Sequence, residues 1–194
     1  TLFRSASRYL QGPQQKTWLD RLDGERDNFR AALAWAMESV PERALALTAS
    51  LWRWSYLRGY LSIGADLTEQ TLRIALEPTP TRLEALNGAA VLTNATGNYR
   101  RAEELATETI ALARTFGDQR GTASGRLVLA TAALGEGDFT RAGLLAEQAL
   151  AGFRTAGDRW GQALALSVLG DESLNRGEYE RAMELYEESV AIFR

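Results

Sequence analysis

Gly97-Asn98-Tyr99-Arg100-Arg101-Ala102 recurs as Gly137-Asp138-Phe139-Thr140-Arg141-Ala142, and again as Gly177-Glu178-Tyr179-Glu180-Arg181-Ala182. Each step is 40 residues. Further along, Leu105, Leu145 and Leu185 keep the same register, as do Arg114, Arg154 and Arg194. Thr115-Phe116-Gly117-Asp118 likewise matches Thr155-Ala156-Gly157-Asp158. A fixed period of this length marks a repeat architecture, in which each unit buries its apolar face against its neighbours.

Within a unit the pattern is helical. Ala163, Leu166, Leu169 and Gly170 fall at spacings of 3, 3 and 1 and make one apolar stripe. After Arg176-Gly177-Glu178, a second stripe runs through Tyr179, Ala182, Leu185, Tyr186 and Ser189. The glycine between them stands where a helix must stop. No sustained period-2 alternation with β-branched enrichment suggests a strand. Alanine supplies 31 of the 194 residues, which favours helix and close helix approach. The expected fold is all-α, a right-handed superhelix (α-solenoid) of antiparallel helix hairpins. Ala90, Ala130 and Gly170 share one position in the first helix of each hairpin, and Ala102, Ala142 and Ala182 share one in the second. Small residues at a crossing should let the turn aromatics Tyr99, Phe139 and Tyr179 sit over them.

The small residue late in the first helix, the Gly-x-aromatic-x-x-Ala turn and the leucine that follows resemble the tetratricopeptide repeat (TPR). Units longer than that family's pattern are similar to the maltose-activator-like (MalT-like) subfamily. The sequence departs from the family in having Arg126 and Leu166 where Trp is frequent, and in lacking a closing Pro.

A weaker copy lies in front, where Gly59, Leu61, Gly64, Leu67, Thr71 and Leu72 match Gly97, Tyr99, Ala102, Leu105, Thr109 and Ile110 after a shift of 38. Its first helix should run from about Pro41 to Leu57. Glu77-Pro78-Thr79-Pro80 ends it, since two closely spaced prolines cannot continue a helix. The chain therefore reads as N-terminal linker helices over residues 1–40, a degenerate hairpin over 41–80, and three hairpins over 81–120, 121–160 and 161–194. In the linker, Thr1–Leu10 reads as a helix tail stopped by Gly12-Pro13, and a second helix runs to Ser39 with a kink at Gly24. The stretch Trp18 to Ala36 resembles a segment of large bacterial signal-transduction ATPases with numerous domains (STAND), many of them LuxR- or AfsR-type transcriptional regulators. There it joins a nucleotide-binding module and a winged helix to a C-terminal repeat array. That resemblance implies the sensor or autoinhibitory arm of such a protein, working in the cytoplasm. The chain opens on Thr1, and is read as a piece of a longer protein.

Composition narrows the chemistry. With no Cys and no His, the chain has no disulfides, thiolate or imidazole metal ligands, Cys nucleophile or His acid–base catalyst. Net charge is −3, and the basic set is 21 Arg with Lys16 alone. Neither half carries the basic bias of a nucleic-acid or anionic-membrane binder. No phosphate-loop motif occurs, so no nucleotide cofactor is expected in this segment. Carboxylates at Glu103-Glu104, Asp171-Glu172 and Glu184, Glu187, Glu188 read as solvated helix faces. Trp18, Trp35 and Trp52 fall on apolar stripes and should pack between helices, whereas periodicity constrains Trp54 and Trp160 less.

Binding is the remaining use. A stacked array exposes its first helices as a concave groove. The register assigns Arg53, Tyr56, Asn87, Val91 and Asn94 to that groove, followed by Leu127, Thr131, Ser167, Asp171 and Leu174. This mixed set suits an extended peptide or a partner helix, or else the array is a plain spacer. Of the Lys, Arg and Asn residues of a chaperone-type carboxylate clamp, only Arg53, Asn87 and Asn94 have counterparts. At the far end, Leu185, Val190 and Phe193 should face nothing, a situation that promotes self-association.

Overall fold

The structure, a computed structural model, describes the backbone of residues 9–10 and 12–193 and side chains as far as Ile192. Among the described residues all regular structure is helical. The order is α1 Gln15–Gly24, α2 Arg26–Ser39, α3 Pro41–Leu57, α4 Leu61–Ile74, α5 Pro80–Ala95, α6 Tyr99–Thr115, α7 Gln119–Glu136, α8 Phe139–Ala156, α9 Arg159–Asn175 and α10 Tyr179–Phe193. The anticipated helix tail over Thr1–Leu10 lies outside the described residues, apart from Tyr9 and Leu10, which form a turn and a bend. The segment expected to kink at Gly24 is two helices, broken at Glu25. Helix α3 starts with Pro41 at its first position, where a missing N–H costs nothing. The chain divides into two compact units, Thr1–Thr96 and Gly97–Arg194.

One turn recurs throughout the second unit. Gly117, Gly137, Gly157 and Gly177 all have positive φ, between 65° and 83°. At Gly137 the glycine N–H donates to the Leu134 carbonyl at 3.1 Å, and the Asp138 N–H donates to that of Ala133 at 2.9 Å. This paired arrangement satisfies the last carbonyls of α7 and needs a left-handed residue between its two bonds. Gly117-Asp118, Gly157-Asp158 and Gly177-Glu178 repeat the pair. The residue after the glycine then starts the next helix. The side-chain oxygens of Asp118, Asp138 and Asp158 accept from the N–H three residues on, at 2.9, 3.1 and 2.9 Å. Each such cap satisfies one orphan donor of the new helix. Counting Gly97-Asn98, whose Asn98 caps α6, the glycines stand every 20 residues. The period seen in sequence as 40 is thus two equal turns.

Packing follows from that spacing. In the second unit consecutive helices from α6 to α10 pack against one another, and α7 also meets α9. Their core includes Ala130, Ala146, Ala149, Leu150, Phe153, Leu166 and Leu169. Ala102, Ala142 and Ala182 are all buried, as the repeat predicts. The turn aromatic sits elsewhere than expected, however. Tyr99 lies over Gly135, near the end of α7, a position the sequence alignment did not single out. A glycine there leaves room for a ring that a Cβ would displace.

The first unit is built around α3. Trp54 meets Phe29 and Tyr60 edge-on, at centroid distances of 6.2 and 5.3 Å. Its indole N–H donates to Asp23 Oδ1 at 2.9 Å, so a buried polar group is satisfied from α1. Arg58 then binds Asp20 and Asp23 at 2.6 and 2.7 Å. Thr48 and Thr71 join α3 to α4 through their hydroxyls at 2.9 Å. Trp52 is buried and Trp18 is half-buried, stacked on Tyr9 at 4.9 Å. Trp35 is the exception among the expected core tryptophans, with 56% of its surface exposed. It lies on the flank of α2, whose buried stripe is Phe29, Leu33 and Ala36.

Two outcomes are expected in denaturant titrations of the whole chain. Gly137→Ala forces a Cβ into the left-handed region and costs about 1–2 kcal/mol, whereas Asp138→Ala loses only a cap, about 1 kcal/mol. Ala142→Leu overpacks a fully buried position and costs about 1–3 kcal/mol, lowering the melting temperature.

Candidate functional site

The expected groove residues divide between the two units. In the first, α3 and α5 pack side by side and carry Arg53, Tyr56, Asn87, Val91 and Asn94. Trp52 organises this surface. Its ring fills the space left by Gly88, where a Cβ would come within 2.5 Å of the indole. Its N–H donates to Glu84 Oε1 at 3.2 Å, and the Arg53 guanidinium lies 4.5 Å from the ring centroid. Both contacts hold polar groups against an apolar plate. Val91 packs on the cluster of Trp52, Ala65 and Leu92. Tyr56 is exposed, while Asn87 and Asn94 are half-buried. The Asn87 amide oxygen is enclosed, and none of the described residues donates a hydrogen bond to it.

In the second unit most expected groove residues are engaged within the hairpins. Leu127 packs on the core. The Thr131 hydroxyl donates to the carbonyls of Leu127 and Val128, at 3.2 and 2.9 Å. Ser167 and Ser189 share a hydrogen bond of 2.9 Å between α9 and α10. Asp171 accepts from the Tyr186 hydroxyl at 2.5 Å. Leu174 is exposed and faces a groove formed with α10.

The solvated reading of Asp171-Glu172 is therefore corrected. Asp171 is half-buried on Tyr186, and Glu172 is only 5% exposed, receiving Arg176 Nη1 at 2.9 Å. Glu172 is accommodated beside Gly143 of α8, which has no side chain to exclude it. Glu103 likewise pairs across turns with Arg141, at 2.7 Å. Among the described residues no three His, Cys, Asp or Glu side chains converge as a metal site. Burial, reinforced by the bond to Asp171, pushes the Tyr186 phenol up to about 12. Sequence reasoning missed Glu84, the anchor of Trp52, because it sits 32 residues away with no motif to link them. It foresaw Leu174 as a groove residue and Val190 as uncovered, but missed Tyr179 and Met183, which join them along α10.

No family model matches this chain, and neither does any curated protein. Solved structures do. BtubC (BKLC) from P. vanneervenii is similar over 92% of this chain and 75% of its own, with 20% identity and a TM-score of 0.70. The putative kinesin light chain of Podospora anserina, with nearly identical TPR-like repeats, is similar over 98% and 92%, with 21% identity and a TM-score of 0.66. A Rap protein in complex with competence and sporulation factor is similar over 91% of this chain at 16% identity, with a TM-score of 0.70. This chain spans 53% of the Rap protein's length. The fold is a TPR-like α-solenoid.

The raised Tyr186 pKa has a definite sign. The folded state favours the neutral phenol, so this contribution is intact below pH 10, the ordinary value, and is lost as pH climbs through about 12. Stability of the wild type should fall more steeply over that window than that of Tyr186→Phe. A phenolate absorbance titration should show one late-ionising tyrosine in the wild type, and its loss in the variant.

Proposed function

We propose that this chain is a non-catalytic protein-interaction module that binds an extended peptide or a partner helix along its first helices, with α3 and α5 as the principal face. The surface built on Trp52, between α3 and α5, carries this reading: the indole is anchored by Glu84 and carries the Arg53 guanidinium, with Val91 against it. Arg53 gives this face charge and exposed Tyr56 an aromatic surface. The Rap neighbour, solved in complex with competence and sporulation factor, supports a TPR-like array taking a binding partner.

The parent protein, on this proposal, is a bacterial signal-transduction ATPase regulating transcription, and this chain is its sensor or autoinhibitory arm. The resemblance of Trp18 to Ala36 supports that context. A partner that binds one arrangement of the arm more tightly than another shifts the resting equilibrium toward activity. No helix among the described residues is long and apolar enough to cross a membrane. On the same proposal, the arm works in the cytoplasm with its ATPase. A second reading is a free-standing scaffold, adaptor or peptide-binding receptor, and the Rap neighbour's bound factor is in keeping with a receptor.

Panning a display library of random peptides on the chain tests the binding face. Enriched peptides should lose affinity at least about tenfold with Tyr56→Ala, an exposed position, while the melting temperature holds. Undiminished binding, or a fall in stability, would sink the assignment. The coding sequence on either side tests the context. A phosphate-loop motif upstream supports the switch ATPase, and a frame holding only more repeats leaves the scaffold reading in its place.

A further inference from the structure

Arg126 breaks the pattern of the first helices. At the same register α5 has Leu86 and α9 has Leu166, each only 1% exposed. Along α7 the position belongs to the buried stripe, since Ala123, Ala130 and Ala133 on either side of it are fully buried. Yet it carries a half-buried cation. The other arginines of α7 and α8 all have carboxylate partners: Arg120 meets Asp158, Arg141 meets Glu103 and Arg154 meets Glu188. Among the described residues Arg126 is the one half-buried charge with neither an ion pair nor a hydrogen bond. Its stem is covered, while its guanidinium nitrogens stay open to solvent.

A leucine at this place would bury more apolar surface and set no charge beside the core. A chain that departs from its own packing rule without an internal compensation does so where function requires it. The covered stem also restricts the head, so less side-chain freedom is lost when something binds to it. A guanidinium presents a planar fork of donors that matches a carboxylate in two parallel bonds. With the other arginines of α7 and α8 already paired, one such fork fits a single negative charge. A phosphate dianion, which recruits several donors, is matched less well.

We propose that Arg126 binds an acidic side chain, Asp or Glu, of a peptide lying along α7. The site belongs to the second unit and does not rest on the reading of the α3–α5 face.

The probe is a display library of random peptides panned on the whole chain, the selected peptides being resynthesised with amidated ends so that no terminal carboxylate competes. Peptides selected on the wild type should share an Asp or Glu that those selected on Arg126→Leu lack. Changing that residue to Asn or Gln should weaken binding to the wild type by about tenfold and leave binding to Arg126→Leu unaltered. Arg126→Leu restores the residue of α5 and α9, and its melting temperature should rise, which separates a lost contact from a lost fold. An acidic residue whose replacement weakens binding equally in the wild type and in Arg126→Leu would overturn the proposal. So would a selection that yields no peptide, or none with a shared acidic residue. Peptides that depend on Tyr56 but not on Arg126 would leave the α3–α5 face standing and remove this site alone.

Discussion

Everything in the second unit depends on where each helix stops. A glycine at positive φ ends one helix, and the Asp or Asn after it caps the next. Four successive helices are consequently 17, 18, 18 and 17 residues long. Because each residue advances a helix by about 100°, a turn displaced by one residue would swing the following apolar stripe off its neighbour. The turn thus sets the phase in which every buried alanine is read. Packing confirms that phase rather than creating it, which is why so much of the core can be alanine.

Close packing of small residues leaves few places for rings, and four rings take the room left by a missing side chain. Trp52 lies in the space at Gly88, Phe153 against Gly161, Tyr99 over Gly135 and Tyr186 over Gly170. These pairs couple surface to core. Trp52 holds Arg53 and Glu84 in place on the α3–α5 face, and Tyr186 fixes the floor of the α10 groove. Polar atoms follow a similar division. Thr131, Ser167 and Asp171 are satisfied inside their hairpins, whereas the Asn87 oxygen is enclosed without a donor among the described residues.

The period, the all-helical class and individual helices such as Pro41–Leu57 were legible in the sequence because turns and apolar spacing are local signals. Contacts between helices were less so. Periodicity placed Trp35 on a stripe, but the stripe that α2 buries runs through Phe29, Leu33 and Ala36, and Trp35 stands outside it. Runs of carboxylates look alike in sequence, yet Glu172 is buried because a glycine on the adjacent helix makes room. Tyr99 meets Gly135 across 36 residues, and no pattern within either helix foretells it. Of the groove residues, Arg53 and Val91 both lie against Trp52, and those on α7 and α9 turn largely to intramolecular bonds. An uncovered face on α10 was foreseen: Val190 is exposed as expected, whereas Leu185 packs on the core. Phe193, expected there too, has a side chain outside the described residues.

The ion pairs between turns reach a limited distance along the chain. Arg120 meets Asp158, the cap of α9, and Arg58 meets Asp20, each 38 residues away. Each of these bonds closes a loop about one hairpin long. Under tension applied to the two ends, a molecule tied in this way gives up its length in hairpin-sized steps, and a hairpin released at one end leaves those further in still fastened. Slackened, it can close again from whichever hairpin is intact, with no distant strand to find and no single contact that must form first.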